Sequence, residues 1–326
     1  MITTTDTPSV PGAGAAQRRP RPGGDLRSVE KPRSGARDLL AALPWISPAL
    51  LLIVGVVMFP AAVMFYNSTR DISVSGIDKG SVGFANYAEV FAFPHFWPIF
   101  LRTIVWVVVV VVAAVLISLA LAQLLNKAFP GRRIVRLAVI IPWAASVVMT
   151  TLVFYYGLEP YFGIINKTLV DIGLITTPEG YGWTRNPPTA FAWSIVVAVF
   201  VSLPFTTYTI LAGLQMVPGE VLEAAKMDGA GPARTYVSVV LPHLRGAVAV
   251  AVLINIINVF NSLPILKVMT GSIPGYDADT IMTMIFKYIQ VQQKIDVASA
   301  LSVVSFLIVI VIVAVYVRVV KPMKEV

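Results

Sequence analysis

An all-α integral membrane protein with six transmembrane helices is the fold class this sequence predicts. Three observations carry that reading. Hydrophobic residues make up 57% of the 326 and charged residues only 13%, about half the charge of an ordinary soluble domain. Six almost uncharged runs, at 44–66, 103–125, 134–154, 190–211, 247–263 and 297–320, approach or exceed the roughly 20 apolar residues that cross a bilayer core about 30 Å thick. Lys and Arg are unevenly shared between the alternate segments that join these runs. An ordinary soluble enzyme is thereby excluded. Cysteine is absent, which removes disulfides, thiolate metal sites and cysteine nucleophiles. Two histidines, His95 and His243, are too few for most metal chemistry, and no metal site is expected.

The elements follow in order. Residues 1–38 are rich in Pro, Gly and Arg without an apolar stretch, which predicts a disordered tail and not a cleavable signal peptide. The membrane domain is expected over 39–322, with 323–326 as a short tail. The first two runs are uniformly apolar. In the third, Arg136 lies near the start and can snorkel to the interface. The segment 155–189 places Phe162, Ile165, Leu169 and Ile172 on one face, predicting a short surface helix within 161–175. Pro204 interrupts the fourth run and loosens its helix. The fifth is short and carries Asn255, Asn258 and Asn261. On the sixth, Ser299, Ser302 and Ser305 read as a packing stripe.

One set of segments (the tail, 126–136, 215–246 and the C-terminus) holds 17 of the 25 Lys and Arg, and the other set holds 7. Arg102 sits at a boundary. The positive-inside rule places the basic set, and both termini, in the cytoplasm of a cell-membrane protein. Net charge +8 is thus an orientation signal, and no nucleic-acid partner is implied. Tyr66, Trp97, Tyr155 and Tyr156 fall at the outer ends of runs, where amphipathic rings prefer to sit.

The loop 215–246 has the most legible local pattern. Pro218 suits a first helical turn, and Glu220 and Glu223 suit its positive end. Glu223 and Lys226 have pairing distance at i,i+3. Gly229 and Gly231 end the helix, Pro232 starts a second, and Pro242 marks entry to the fifth run. The expected product is a compact helical knob with small residues at its apex.

Glu223-Ala224-Ala225, two residues, Asp228-Gly229-Ala230, ten residues, then Leu241-Pro242 resembles the Glu-Ala-Ala signature loop of permease subunits in binding-protein-dependent ABC importers. Asn86-Tyr87, Phe96-Trp97, Leu124-Leu125-Asn126, Gly131-Arg132-Arg133, Pro142-Trp143, Gly163-Ile164-Ile165-Asn166 and Ala212-Gly213-Leu214-Gln215 extend the resemblance across most of 40–320, and it is nearest to the maltose-permease type of carbohydrate permease. Arg102-Thr103 stands where that family often has Asn-Thr, Phe200 where a Trp is common, and 269–274 departs from its usual glycine-rich run. The resemblance implies the ABC importer permease fold and a coupling helix that seats in a groove of an ATPase subunit. By it, Glu223 and Asp228 are polar contacts or caps of the knob and Gly229 its turn. It also implies a second permease forming a heterodimer, two ATPase subunits, an extracytoplasmic sugar-binding protein and a sugar substrate. No phosphate-binding loop of the form Gly-x4-Gly-Lys-Ser/Thr occurs, so ATP and magnesium are expected on the partner and no cofactor on this chain. No catalytic residue is expected.

Polar side chains inside membrane runs are candidates for a substrate path. Asn255, Asn258 and Ser262 share one helical face, and amides match hydroxyl groups as donors and acceptors. Interhelical hydrogen bonding accounts for the same face equally well. Ser202 and Phe205 flank Pro204, where Phe205 can stack on a sugar or simply pack. No Asp, Glu, Lys or Arg lies in the middle of a run, which disfavours proton-coupled transport and strongly charged cargo. The alternatives are a permease for another solute, such as a polyamine, glycerol phosphate or an inorganic anion, and a membrane-embedded lipid enzyme, for which no cluster of carboxylates or histidines is visible.

Overall fold

The computed structural model describes residues 36–176 and 182–320. The expected tails lie outside these residues, except that 36–38 already belong to a helix. The chain divides into two compact units, Met1–Val57 and Met58–Val326. In the first, helix α1 (Ala36–Leu52) leads into a π-helical turn, Ile53–Met58.

The second unit contains all further elements. Helix α2 (Phe59–Asn67) ends at a small antiparallel hairpin of β1 (Arg70–Ile72) and β2 (Asp78–Ser81), which the all-helical expectation did not include. Gly76, at φ +79°, makes its turn. Arg70 bonds Asp78 at 2.8 Å. That bond, together with the Gly80 amide, holds the Asp78 carboxyl below its ordinary range. The pairing is therefore present at neutral pH and is lost as pH falls through the lowered value. After the hairpin come α3 (Ala85–Ala92), α4 (Phe96–Asn126), α5 (Arg132–Ala144), α6 (Val147–Gly157) and α7 (Ile164–Asp171). They are followed by α8 (Pro187–Gln215), α9 (Gly219–Met227), α10 (Pro232–Thr235) and a second π-helical turn, Tyr236–Val240. The chain ends with α11 (Leu241–His243), α12 (Arg245–Phe260), α13 (Leu263–Thr270), α14 (Ile281–Gln290) and α15 (Ile295–Val320).

Four of the six apolar runs are single helices long enough to cross a membrane: Leu43–Asn67, Phe96–Asn126, Pro187–Gln215 and Ile295–Val320. The other two are bent pairs. The third run breaks between α5 and α6 by 101°, where Ala145 and Ser146 are extended. Pro142 withholds a backbone N–H near the end of α5, and Ser146 is a favoured helix-start residue. Average hydropathy is blind to both. The fifth run is reached from the loop helices Pro232–His243 through a 66° bend at Leu244, where α12 begins. Pro204 does not interrupt the fourth, because α8 passes through it unbroken. The hydroxyls of Ser202, Thr206 and Thr209 donate to the carbonyls of Ala198, Ser202 and Phe205 one turn earlier, adding bonds within α8 on either side of the proline.

The core forms where α4, α8 and α12 meet. Ile99, Trp106, Val110, Ala114, Ala122 and Leu125 make the buried stripe of α4, at the three- and four-residue spacing of one helical face. Trp106 donates its indole N–H to the Val259 carbonyl at 2.9 Å, at the end of α12. Thr207 donates to Ser118 between α8 and α4. At the other end of α8, Gly213 lets α12 come close. A Cβ there would lie 2.6 Å from Cβ of Ala247 and 3.2 Å from Cδ2 of Leu244.

Several quoted motif residues hold the segments between helices. Asn86 donates to the carbonyls of Ser68 and Arg70, and Tyr87 donates to the Ser68 hydroxyl. Asn166, buried, donates to the Leu158 and Glu159 carbonyls and accepts from the Trp183 indole. It anchors α7, which is shorter than the expected surface helix and leaves Phe162 and Ile172 exposed beyond its ends. Arg102 donates to the carbonyls of Tyr276 and Asp279 at 3.0 Å, and the Thr103 hydroxyl accepts from the Ile281 amide. Together they clamp the α13–α14 connection onto α4.

The Gly213 crossing is testable by thermal unfolding of the purified complex. Gly213→Val should lower stability by about 1–3 kcal/mol through overpacking. Gly246→Ala, whose Cβ meets open space, should be neutral or stabilising. Equal stability of Gly213→Val and the wild type would contradict the close packing.

Candidate functional site

Two sites are assembled at opposite ends of α12. The first is the knob. Pro218 is the residue before α9, with extended backbone at ψ 136°, rather than part of its first turn. Glu220 is the acid in that turn, and Glu223 lies mid-helix, so Glu223 cannot cap it. The end of α9 explains the motif spacing. Gly229 has φ +73°. Its amide donates to Lys226 at 3.0 Å, and the Ala230 amide reaches back to Ala225 at 3.0 Å. These are the paired bonds of a Schellman stop, in which glycine takes the left-handed position and small apolar residues meet across the turn. Ala225 is buried and Ala230 half-buried. Asp228 supplies backbone to the stop while its carboxylate faces out.

Glu223, Ala224, Met227, Asp228 and Gly229 are exposed together, Met227 by 88%. Glu223 and Lys226 form no ion pair among the described residues. On the inner side, Leu222 and Tyr236 pack against Ala122, Leu125, Leu211, Leu214, Val240 and Leu244. The knob is thus bolted to the ends of α4 and α8 and to the bend before α12. Its π-helical turn precedes Pro242, whose ring would clash with a regular turn. Leu241 and Pro242 belong to this connection. His243 donates through Nδ1 to the Val239 carbonyl at 2.7 Å.

The second site is a recess of about 410 Å³ between α5, α6, α8, α12 and α13. All five predicted path residues line it: Ser202, Phe205, Asn255, Asn258 and Ser262. Their chemistry differs. Asn255 is 2% exposed and gives both amide hydrogens away, to the Thr206 hydroxyl and the Ala251 carbonyl, each at 2.8 Å. It joins α12 to α8, and only its carbonyl oxygen is left for a solute. Asn261 donates to Ile257 and Ser202 to Ala198. Asn258 is exposed to the recess and has no hydrogen-bond partner among the described residues. Ser262 is half-buried with φ −80° and ψ 67°, and the Leu263 amide donates across it to the Asn261 carbonyl at 2.9 Å. That is an inverse γ-turn, which breaks the helix at the recess wall. Irregular backbone at membrane depth is tolerated where it lines a cavity.

Sequence reasoning did not assign Trp143. It stands just before the α5–α6 break, 65% exposed, and with Phe205 it lines both this recess and an adjoining hollow reaching Ile140, Tyr208 and Thr209. The signal available was the dipeptide Pro142-Trp143, an aromatic ring held at a helix break.

Comparison with known proteins shows the family and the fold. The family described as "Binding-protein-dependent transport system inner membrane component" matches residues 37–324. The sulfoquinovosyl glycerol transport system permease protein of Agrobacterium fabrum is 31% identical, covering 87% of this chain and 91% of its own. The trehalose/maltose transport system permease protein of Thermococcus litoralis is 28% identical, covering 90% and 97%. Among solved structures, a bacterial ABC transporter involved in import of the acidic polysaccharide alginate superposes with a TM-score of 0.76 at 19% identity, over 89% of this chain and 98% of that one.

The split between the two asparagines predicts a split in stability. Asn255→Leu removes the α12–α8 bond to Thr206, whose hydroxyl keeps its own bond to the Ser202 carbonyl, and should cost about 0.6–1.7 kcal/mol, the range for interhelical hydrogen bonds in membranes. Asn258→Leu, which breaks no bond, should melt with the wild type. Thermal unfolding in detergent reads both, and matched losses would remove the distinction.

Proposed function

The chain belongs to the family of binding-protein-dependent transport system inner membrane components, and on that premise we propose that it forms half of a pore carrying a neutral carbohydrate into the cell. It is a multi-pass transport subunit and not an enzyme. A second, similar permease completes the pore, two separate ATPase subunits drive it, and an extracytoplasmic binding protein delivers the sugar. Both termini face the cytoplasm of the inner membrane, in keeping with the distribution of Lys and Arg.

One observation carries the cargo reading. The recess has a largely aliphatic wall that carries the amides of Asn255, Asn258 and Asn261, the hydroxyls of Ser202 and Ser262 and the rings of Trp143 and Phe205, and no Asp, Glu, Lys or Arg. Hydroxyl-rich neutral solutes match such a lining: amides exchange hydrogen bonds with hydroxyls, and rings cover apolar sugar faces. A phosphate or polyamine would enter without a counter-charge, at high cost. The transport systems named for two relatives, trehalose/maltose and sulfoquinovosyl glycerol, support a sugar as cargo; the first sugars are neutral and the second carries a sulfonate, so the neutral charge rests on the lining alone.

The mechanism follows from connectivity. The exposed apex of the knob seats in an ATPase groove. Closure of the ATPases displaces the knob, and the bend at Leu244, held against α8 at Gly213, passes that displacement into α12. Asn258 and Ser262, at the far end of α12, then change the side to which the recess opens. Nothing in the knob touches sugar, so coupling and selection are separable.

Two experiments test this. In proteoliposomes with the binding protein, Asn258→Leu with Ser262→Ala should lower sugar uptake at least tenfold, on the scale of about 1.4 kcal/mol of lost contact. Binding-protein-stimulated ATP hydrolysis should persist. Unchanged uptake would return this face to packing. Gly229→Val places a β-branched residue at positive φ, costing about 1–3 kcal/mol of local strain. It should abolish stimulated hydrolysis or release the ATPase without altering sugar preference, and normal co-purification and uptake would contradict the knob's role.

A further inference from the structure

The recess continues toward the start of α5. Trp143 and Phe205 stand between it and the adjoining hollow, about 410 Å³, whose other walls are Ile140, Pro204, Tyr208 and Thr209. Arg132, Arg136, Ile140 and Trp143 follow at i, i+4, i+8 and i+11, along a single face of α5. On α8, Phe205, Tyr208, Thr209 and Ala212 likewise share a face, and Ala212 is small and exposed. The Tyr208 hydroxyl donates to the Arg136 carbonyl at 3.2 Å, which fixes the two faces side by side just beyond the hollow. Recess, hollow, Arg136 and Arg132 therefore lie in that order along the groove between α5 and α8.

Nothing described cancels the charge of this pair. Each arginine is half-buried, and the Nε of each is enclosed without a hydrogen-bond partner. The described ion pairs, Arg70–Asp78, Lys79–Asp71, Lys287–Asp279 and Lys294–Glu89, involve neither residue, nor do they involve Glu220 or Glu223 of the knob. No Asp or Glu occurs between Glu89 and Glu159, and α8 carries none. Partly buried charge is screened much less than charge in open solvent, and a cleft lined by one sign focuses its field into the water it encloses. We propose that Arg132 and Arg136 form an electrostatic filter at the cytoplasmic mouth of the cargo path, which passes neutral and anionic species and holds back cations. The filter rests on the recess being that path, and it adds what the recess lacks, because the uncharged lining of the recess repels neither sign. A neutral sugar crosses the mouth without penalty, whereas an amino sugar or a metal cation meets two like charges. Fixed positive charge excludes cations from aqueous pores by the same means.

The test reads the potential at the mouth directly. Because the chain has no cysteine, Thr209→Cys puts a single thiol in the hollow. The full complex, with cysteine-free partners, is reconstituted with the ATPase side outward. Labelling rates are measured for two methanethiosulfonate reagents, one bearing a sulfonate and one a trimethylammonium, and each is divided by its rate with a small free thiol. The normalised rate for the anion should exceed that for the cation by about tenfold or more. The ratio should fall toward one as salt is raised from about 0.01 M to about 1 M, an arm that needs no further substitution. It should fall likewise in Arg132→Gln/Arg136→Gln, and Arg136→Lys, which keeps the charge, should preserve it. Lys127→Gln/Arg133→Gln removes as much charge from exposed positions and should lower the ratio less. A ratio near one in the wild type, the result if a carboxylate of the partner permease neutralises the pair, overturns the filter. So does an equal fall in the two double variants. A thiol unreactive to both reagents from the ATPase side would remove the hollow from the path, and the filter with it, while labelling at Asn258→Cys still tests the recess.

Discussion

The passage of α12 against α8 at Gly213 is the constraint on which the rest of the structure depends. No side chain larger than hydrogen fits between that position and Ala247. The contact sits at the bend where the knob ends and α12 begins. Below it, Leu222, Tyr236, Val240 and Leu244 tie the knob to α4 and α8. Above it, α12 runs straight to Asn255 and Asn258 and stops at the Trp106–Val259 bond. The knob and the recess wall therefore stand at the two ends of α12, with the α8 crossing between them. Packed interfaces of this kind move between discrete arrangements and do not deform continuously, which suits a device that must open to one side at a time.

A membrane interior makes a second demand: every helix break has to be answered. The break at Asn261–Ser262 is closed by an inverse γ-turn. At Pro204 α8 stays continuous, with hydroxyl-to-carbonyl bonds from Ser202, Thr206 and Thr209 on either side. Polar residues in these helices thus divide into two kinds. Asn255, Ser202, Thr206 and Thr207 spend their donors inside the protein, Asn255 and Thr207 on a neighbouring helix and Ser202 and Thr206 within α8. Asn258 and the Ser262 hydroxyl keep theirs, and they face the recess.

That division marks the limit of what the sequence made legible. Position on a helical face placed Asn255, Asn258 and Ser262 together, and the structure brings them to one recess. Face alone could not tell a spent amide from a free one, because the partner Thr206 lies 49 residues away in the chain. The knob was readable for the opposite reason. Its stop is made by contacts within six residues, from Ala225 to Ala230, so spacing encodes geometry directly. Hydropathy found all six runs but could not see that two of them bend. The α5–α6 break depends on Pro142, Ala145 and Ser146, which leave the average apolarity unchanged. Trp143 was read only as part of the Pro142-Trp143 motif and given no role, because an aromatic ring in an apolar run reads as core until the bend exposes it. The β-hairpin was missed because its strands, three and four residues long on either side of Gly76, carry no hydrophobic period.

The central claim is that the recess at the end of α12 is the path of the cargo and changes sides when the knob moves. The chain contains no cysteine, so a single Asn258→Cys substitution creates a unique probe, provided the partner subunits are also cysteine-free. The decisive measurement is its labelling rate by a membrane-impermeant thiol reagent, in proteoliposomes oriented with the ATPase outside. It is compared with and without transported sugar, and with and without a nucleotide state that traps the ATPases closed. The account predicts labelling from the ATPase side in the resting state, protection by sugar, and transfer of access to the opposite side on trapping. A rate indifferent to sugar and nucleotide, from either side, would contradict it.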